Sequence, residues 1–313
     1  MATARARKLD FGISPSTYRL PSQAHVGRVR LAVSNLDRSI DFYTRVIGLR
    51  AISSQDSLAQ LAPQASDRIL LELRQMPGVR PIEPGSRLGL YHTAFLLPTR
   101  DDLGRFVRHL YHNDVPFGAG DHLYSEALYL TDPDGLTVEV YADRARSTWQ
   151  IDGSELVSAT HPVHLGELAE LSHEPWQGAP TATTVGHIHL YVGDLKPAAS
   201  FYYEALGLDL VTWRYPGALF LSAGGYHHHV AVNTWAAGSP AASDTDARLL
   251  FWELVLPSSH DVSEVAASLN AAGFAPSQSP DGATVFTDPW GIRVALVTES
   301  ATDPTHSGTI RTL

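Results

Sequence analysis

Two periods of apolar side chains alternate along this chain. In GHIHLYV, residues 186 to 192, Ile188, Leu190 and Val192 point one way while His187, His189 and Tyr191 point the other, which is the two-residue period of a strand. Ile40, Phe42, Tyr43, Val46 and Ile47 instead fall at helical spacing, after Asn35 or Asp37 as cap and before Gly48 as stop. Asp101 or Asp102 starts a second such helix, carrying Leu103, Phe106, Val107 and Leu110. Strands with one apolar side and one polar side predict an α+β fold, in which cupped sheets are covered by helices outside and line something polar within.

The pattern repeats. GRVRLAVSNLDRSIDFYTRVIGL (27 to 49) lies over GHIHLYVGDLKPAASFYYEALGL (186 to 208) with Gly, Leu, Val, Leu, Phe-Tyr and Gly-Leu in step, and Asp132-Pro133 later falls over Asp288-Pro289. Each half divides again into a strand, a helix and further strands. Two halves are therefore expected, modules 1 and 2 over residues 25–145 and modules 3 and 4 over 183–298. A mobile arm (1–24), a connector (146–182) and a solvated tail (299–313) surround them.

The 313 residues are comfortable for two domains, and 44% hydrophobic content is ordinary for a globular protein. A net charge of -10 disfavours nucleic acid and anionic membranes as partners. The absence of cysteine removes disulfides, thiolate metal sites and a cysteine nucleophile, so any metal must be held by carboxylates and the 15 histidines. Without a signal-peptide core or a spanning apolar run, the chain is expected in the cytoplasm.

The chemistry concentrates in GDHLYSEALYLTDPDGLTVEVY, residues 120 to 141. There Gly120, His122, Leu128-Tyr129, Asp132-Pro133, Gly135 and Glu139 stand at fixed intervals. With four βαβββ-like modules and Phe-Tyr followed by Gly-Leu at the same interval in each half (FYTRVIGL and FYYEALGL), the chain resembles the vicinal oxygen chelate superfamily. That superfamily includes glyoxalases, fosfomycin and bleomycin resistance proteins and extradiol dioxygenases. The 120–141 string resembles the signature of the ring-cleaving extradiol dioxygenases, and SEALYL.DPDG and SAGGYHHH resemble the catechol 2,3-dioxygenases of the CatE type.

The resemblance implies two cupped-sheet barrels and a non-haem Fe(II) centre, with Mn(II) as the alternative, held by His92, Glu139 and His187. His189 shares the face of His187 and is the fallback ligand. By the same resemblance His228, in GGYHHHV, is the acid-base residue, against a plainer reading of three histidines in a solvated turn. Tyr129 and His122 would hydrogen-bond the substrate oxygens. Gly135 and Pro133 are architectural, and Trp213, Trp235, Trp252 and Trp290 receive no role.

Module 4 has Phe251 or Trp252 and Ala295 where ligands would stand, and module 1 has Arg28, which cannot ligate a metal. Modules 2 and 3 are therefore expected to pack together around the metal, leaving modules 1 and 4 as a metal-free counterpart. The implied substrates are an aromatic diol and dioxygen, and the implied product a muconic semialdehyde. A homo-oligomer is compatible with the superfamily. Two rivals stand beside this reading: a glyoxalase-like isomerase or lyase, for which Glu72 would be a further carboxylate, and a metal-free binding or resistance protein.

Overall fold

The computed structural model describes residues 11–279 and 282–299; the tail expected from 299 onward lies, after its first residue, outside the described residues. Two eight-stranded curled sheets, with helices packed outside them, make a mixed α+β architecture. One sheet runs in the order Asp209–Thr212, Ala218–Ser222, Val230–Asn233, Thr184–Tyr191, Gly89–Leu96, Thr137–Asp143, Ser125–Thr131, Gly118–Asp121. The other joins strands of modules 4 and 1 through antiparallel pairing of Arg248–Leu256 with His25–Val33. Sheets are thus shared between 2 and 3 and between 1 and 4, the exchange that the distribution of ligand-type residues requires.

Modules adjacent in sequence remain stapled by side chains. Tyr43 of the first FY segment donates from its hydroxyl to Asp132 of the DPDG turn at 3.0 Å, and Tyr202 repeats the contact with Asp288 at 2.9 Å. Asp134 accepts from Arg38 at 2.8 Å and from the Ser34 hydroxyl at 2.5 Å. The Asp and Tyr positions that repeat along the sequence are therefore partners of one another. Gly135, at φ +86°, leads into the strand Thr137–Asp143 with the Ile82 carbonyl so close that a Cβ would stand 1.7 Å from its oxygen, so only glycine fits.

The helices differ in detail from the expected ones. Asn35 caps the first by accepting from the Arg38 N–H at 2.9 Å, and Thr99, ahead of Asp101 and Asp102, caps Arg100–His112 by accepting from the Asp102 N–H at 3.1 Å. Both FY segments leave the α-helix for one wide π turn, Phe42–Val46 and Ser200–Ala205, whose ends are marked by bonds from Ile47 N–H to Phe42 C=O and from Leu206 N–H to Phe201 C=O.

The segment 11–24, expected as a mobile arm, packs on module 3: Ile13 bridges Leu210, Arg19 pairs with Asp209 at 2.7 Å and Leu20 is buried. The connector is also partly structured, with the helix Leu165–Glu170 against Arg100–His112 and Leu168 in the core. Among the described residues no helix is long and apolar enough to cross a membrane.

The Asp132 carboxyl is pushed up to about 7 from its ordinary 3.8, chiefly by burial. The fold thus prefers the proton that the unfolded chain has already released, and stability falls as pH rises from about 4 to about 7. Asp132→Asn keeps an oxygen for the backbone N–H groups of Asp134 and Leu136 that Asp132 now accepts. Its stability relative to wild type is expected to improve by as much as about 4 kcal/mol between pH 4 and pH 8. Denaturant melts across that range test this, and a pH-independent difference would contradict it.

Candidate metal centre

The strand Gly89–Leu96 sits between two partners. It pairs antiparallel with Thr184–Tyr191, placing His189 opposite His92 and His187 opposite Ala94, and parallel with Thr137–Asp143, placing Glu139 beside Ala94. Glu139 and His187 therefore flank a residue that offers only a methyl group, and His92 lies on the same face two residues away. A register shift between Val185 and His187 adjusts the third strand at this point.

The consequence is a tight cluster of three buried side chains. His92 Nε2 lies 2.9 Å from Glu139 Oε2, His187 Nε2 lies 3.2 Å from the same oxygen, and the two imidazole nitrogens are 3.3 Å apart. Metal-ligand bonds of about 2.1 Å meeting at right angles put neighbouring donors about 3 Å apart, so the trio matches one face of an octahedron. Burial, its largest cause, lowers His187 to about 4, which favours the neutral, ligating imidazole. For Glu139 burial acts upward, but the adjoining imidazoles, His187 foremost, hold it well below the usual carboxylate range. Neither His92 Nδ1 nor His187 Nδ1 has a hydrogen-bond partner among the described residues, so packing rather than an outer hydrogen bond orients both rings.

A cavity of about 320 Å³ opens over the trio. His228 reaches it with its ring centroid 4.1 Å from that of His187, and all three histidines 227–229 are buried, so the solvated-turn reading does not hold. Burial holds His228 well below the usual histidine range, reinforced by neighbouring imidazoles. His189 lines the same cavity but its Nε2 accepts from the Asn233 amide at 2.9 Å, leaving it outside the trio.

Tyr129 and His122 line the same cavity. His122 Nδ1 donates to the Ala159 carbonyl at 2.8 Å, which leaves Nε2 bare to accept from the Tyr129 hydroxyl at 2.7 Å. Tyr129 is pushed well above its ordinary value by burial and the Glu139 charge, so it remains a neutral phenol. The remaining walls include Tyr91, Tyr215, Phe220 and Trp235, with Ser158 and Thr160 from the connector. Trp235 is one of the four tryptophans noted without a role in the sequence; the other walls come from segments brought together only by folding.

The counterpart cup holds about 620 Å³ but, among the described residues, lacks such a donor trio. Arg28 bonds to Glu72 at 2.8 Å and to Glu253 at 2.5 Å, and Arg30 bonds to Glu72 at 2.6 Å. Glu72 is therefore committed to arginines in the other sheet and unavailable as a fourth ligand. Of the four tryptophans noted, Trp252 is core and Trp235 borders the metal-side cavity.

Residues 24–140 and 184–296 match the model of the Glyoxalase/Bleomycin resistance protein/Dioxygenase superfamily, and the chain belongs to that superfamily. It is 42% identical over 255 residues to a catechol-2,3-dioxygenase of Bacillus subtilis (strain 168), a match covering 80% of this chain and 89% of the relative. Similar solved structures include a protein of Bacillus subtilis subsp. subtilis str. 168, with TM-score 0.59 and 14% identity over 91% of this chain and 86% of that one. Glyoxalase I from Zea mays matches with TM-score 0.55 and 18% identity over 89% of this chain and 94% of that one. At these identities the structural likeness concerns the fold.

Replacing His92, Glu139 or His187 by Ala is expected to lower metal affinity by more than about 100-fold, whereas His189→Ala retains the metal. Elemental analysis after equilibrium dialysis against Fe(II) without air distinguishes the two groups, and full occupancy in any of the first three would remove that residue from the site.

Proposed function

We propose that the protein is an extradiol ring-cleaving dioxygenase that converts a single-ring catechol and dioxygen to a muconic semialdehyde-type product. His92, Glu139 and His187 would hold Fe(II), or Mn(II) in its place. The observation that carries this reading is the opening of a buried His-His-Glu trio into an aromatic-walled cavity that also contains His228 and Tyr129. The 42% identical relative is a catechol-2,3-dioxygenase, which supports the same reaction here. A volume of about 320 Å³ lies at the small end of ligand cavities and suits one ring.

Bound at the trio, a divalent iron would provide the open-shell centre through which electrons of the catechol can pass to dioxygen. The chain's own residues account for binding, orientation and proton handling. Two imidazoles and one carboxylate leave the remaining coordination positions to the substrates. Tyr91, Tyr215, Phe220 and Trp235 offer faces and edges to the catechol ring and exclude water. Because the Tyr129 hydrogen is directed to His122, its oxygen is free to accept from a substrate hydroxyl and fix which oxygen turns toward that wall. His228 takes a proton from a catechol hydroxyl and returns it to a product oxygen as the ring opens.

Two features disfavour the rivals. The isomerase or lyase reading calls for a further carboxylate, and Glu72 is tied up in the other sheet. A metal-free binding protein would have no use for three buried donor atoms within 3.3 Å.

Fe(II)-loaded protein is expected to consume dioxygen with catechol or a small substituted catechol and to form a yellow ring-fission product. His228→Ala should lower kcat by about 100-fold or more while retaining iron. Stoichiometric metal with no dioxygen uptake on any catechol would reject the dioxygenase reading in favour of the isomerase or lyase.

A further inference from the structure

Behind His228 lies a chain of hydrogen bonds that leads out of the cavity. His228 Nδ1 is 2.8 Å from His227 Nδ1, and His227 Nε2 is 2.9 Å from Asp143 Oδ1. His227 is fully enclosed, its ring stacked on Tyr124 at 4.5 Å with an interplanar angle of 16° and lying 4.0 Å from the ring of Tyr226. The Asp143 side chain is 28% exposed and also accepts from the Tyr226 hydroxyl at 3.3 Å. Asp143 shares a strand face with Glu139, two alternations along, so one strand supplies both a candidate metal ligand and the end of this chain.

We infer that Asp143, acting through His227, holds His228 with its hydrogen on Nδ1 and its bare Nε2 turned to the cavity. The inference rests on the reading of His228 as the proton-handling residue. Its basis is the direction of the bonds. A carboxylate only accepts, so His227 carries its hydrogen on Nε2; a neutral His227 then has a bare Nδ1, and the short contact between the two Nδ1 atoms requires that His228 be the donor. His228 Nε2 has no hydrogen-bond partner among the described residues. The same arrangement gives a proton a way out of a closed site. Arrival on His228 Nε2 releases the Nδ1 proton to His227 Nδ1, and the His227 Nε2 proton passes to Asp143 at the protein's edge. Each ring ends neutral with its hydrogen on the other nitrogen, and the reverse sequence restores it. Asp143 and His227 are positioning residues in this scheme, and neither lines the cavity.

The test uses Asp143→Ala and His227→Phe, the latter retaining a ring between Tyr124 and Tyr226. Both are expected to lower kcat at least about 10-fold with KM and bound iron unchanged. Formate, a carboxylate small enough to reach the partly exposed Asp143 position, should restore Asp143→Ala saturably and have no effect on His227→Phe. Wild-type kcat in both variants, or a loss that follows iron content, would overturn the inference. Nitrogen-15 spectra of histidine-labelled protein with diamagnetic Zn(II) in place of iron provide a readout independent of turnover. They should show His228 protonated at Nδ1 in wild type and redistributed in Asp143→Ala, and protonation at Nε2 in wild type would overturn the inference. The expected spectra in a protein inactive on every catechol would reject the dioxygenase reading while leaving the tautomer assignment standing.

Discussion

Two imidazole nitrogens and a carboxylate oxygen crowded within 3.3 Å of one another, away from water, repel unless a proton or a cation lies among them. Much of the surrounding architecture serves to keep these atoms together. The central pairing of Gly89–Leu96 with Thr184–Tyr191 supplies an imidazole from each strand, and the parallel neighbour Thr137–Asp143 supplies the carboxylate. Ala94 leaves room for the side chains to meet. The Gly135 turn, closed against the Ile82 carbonyl, delivers the Glu139 strand in the correct register.

The other cup shows how the same frame behaves without this demand. Arg28 stands in the position of His187, Phe251 in that of His92 and Ala295 in that of Glu139 by the internal repeat. Guanidinium groups of Arg28 and Arg30 and the carboxylates of Glu72 and Glu253 form a charge-balanced network, with Phe251 4.6 Å from Arg30. An ionic cluster of this kind satisfies buried polar atoms without a metal. Duplication has produced one cup organised around donor atoms and one organised around salt bridges.

Segments outside the repeats complete the cavity. The connector places the Ala159 carbonyl on His122 and thereby sets which nitrogen faces Tyr129. Asp143, at the end of the Glu139 strand, accepts from His227, whose other ring nitrogen meets His228. In each case a hydrogen-bond chain runs back from a cavity-lining histidine to an acceptor that does not line the cavity. The polarity of the site is therefore built into bonds that no local motif contains.

The sequence by itself determined the superfamily, the α+β class with its repeated modules, and a short list of chemistry-bearing residues. Alternation placed His187 and His189 on one face, and the Gly120-to-Glu139 string marked His122, Tyr129 and Glu139. The absence of suitable residues in modules 1 and 4 even constrained which modules share a sheet. Only the tertiary structure separates His187 from His189, because Asn233, on a neighbouring strand, bonds to His189 while His187 lies in the trio. Only it revealed the packing of residues 11–24, the Tyr43-Asp132 and Tyr202-Asp288 staples and the Asp143-His227-His228 chain. Periodicity reports the face on which a side chain lies, since that follows from local backbone geometry. Which atom meets which depends on register and packing between segments distant in sequence, and those are settled only when the strands pair.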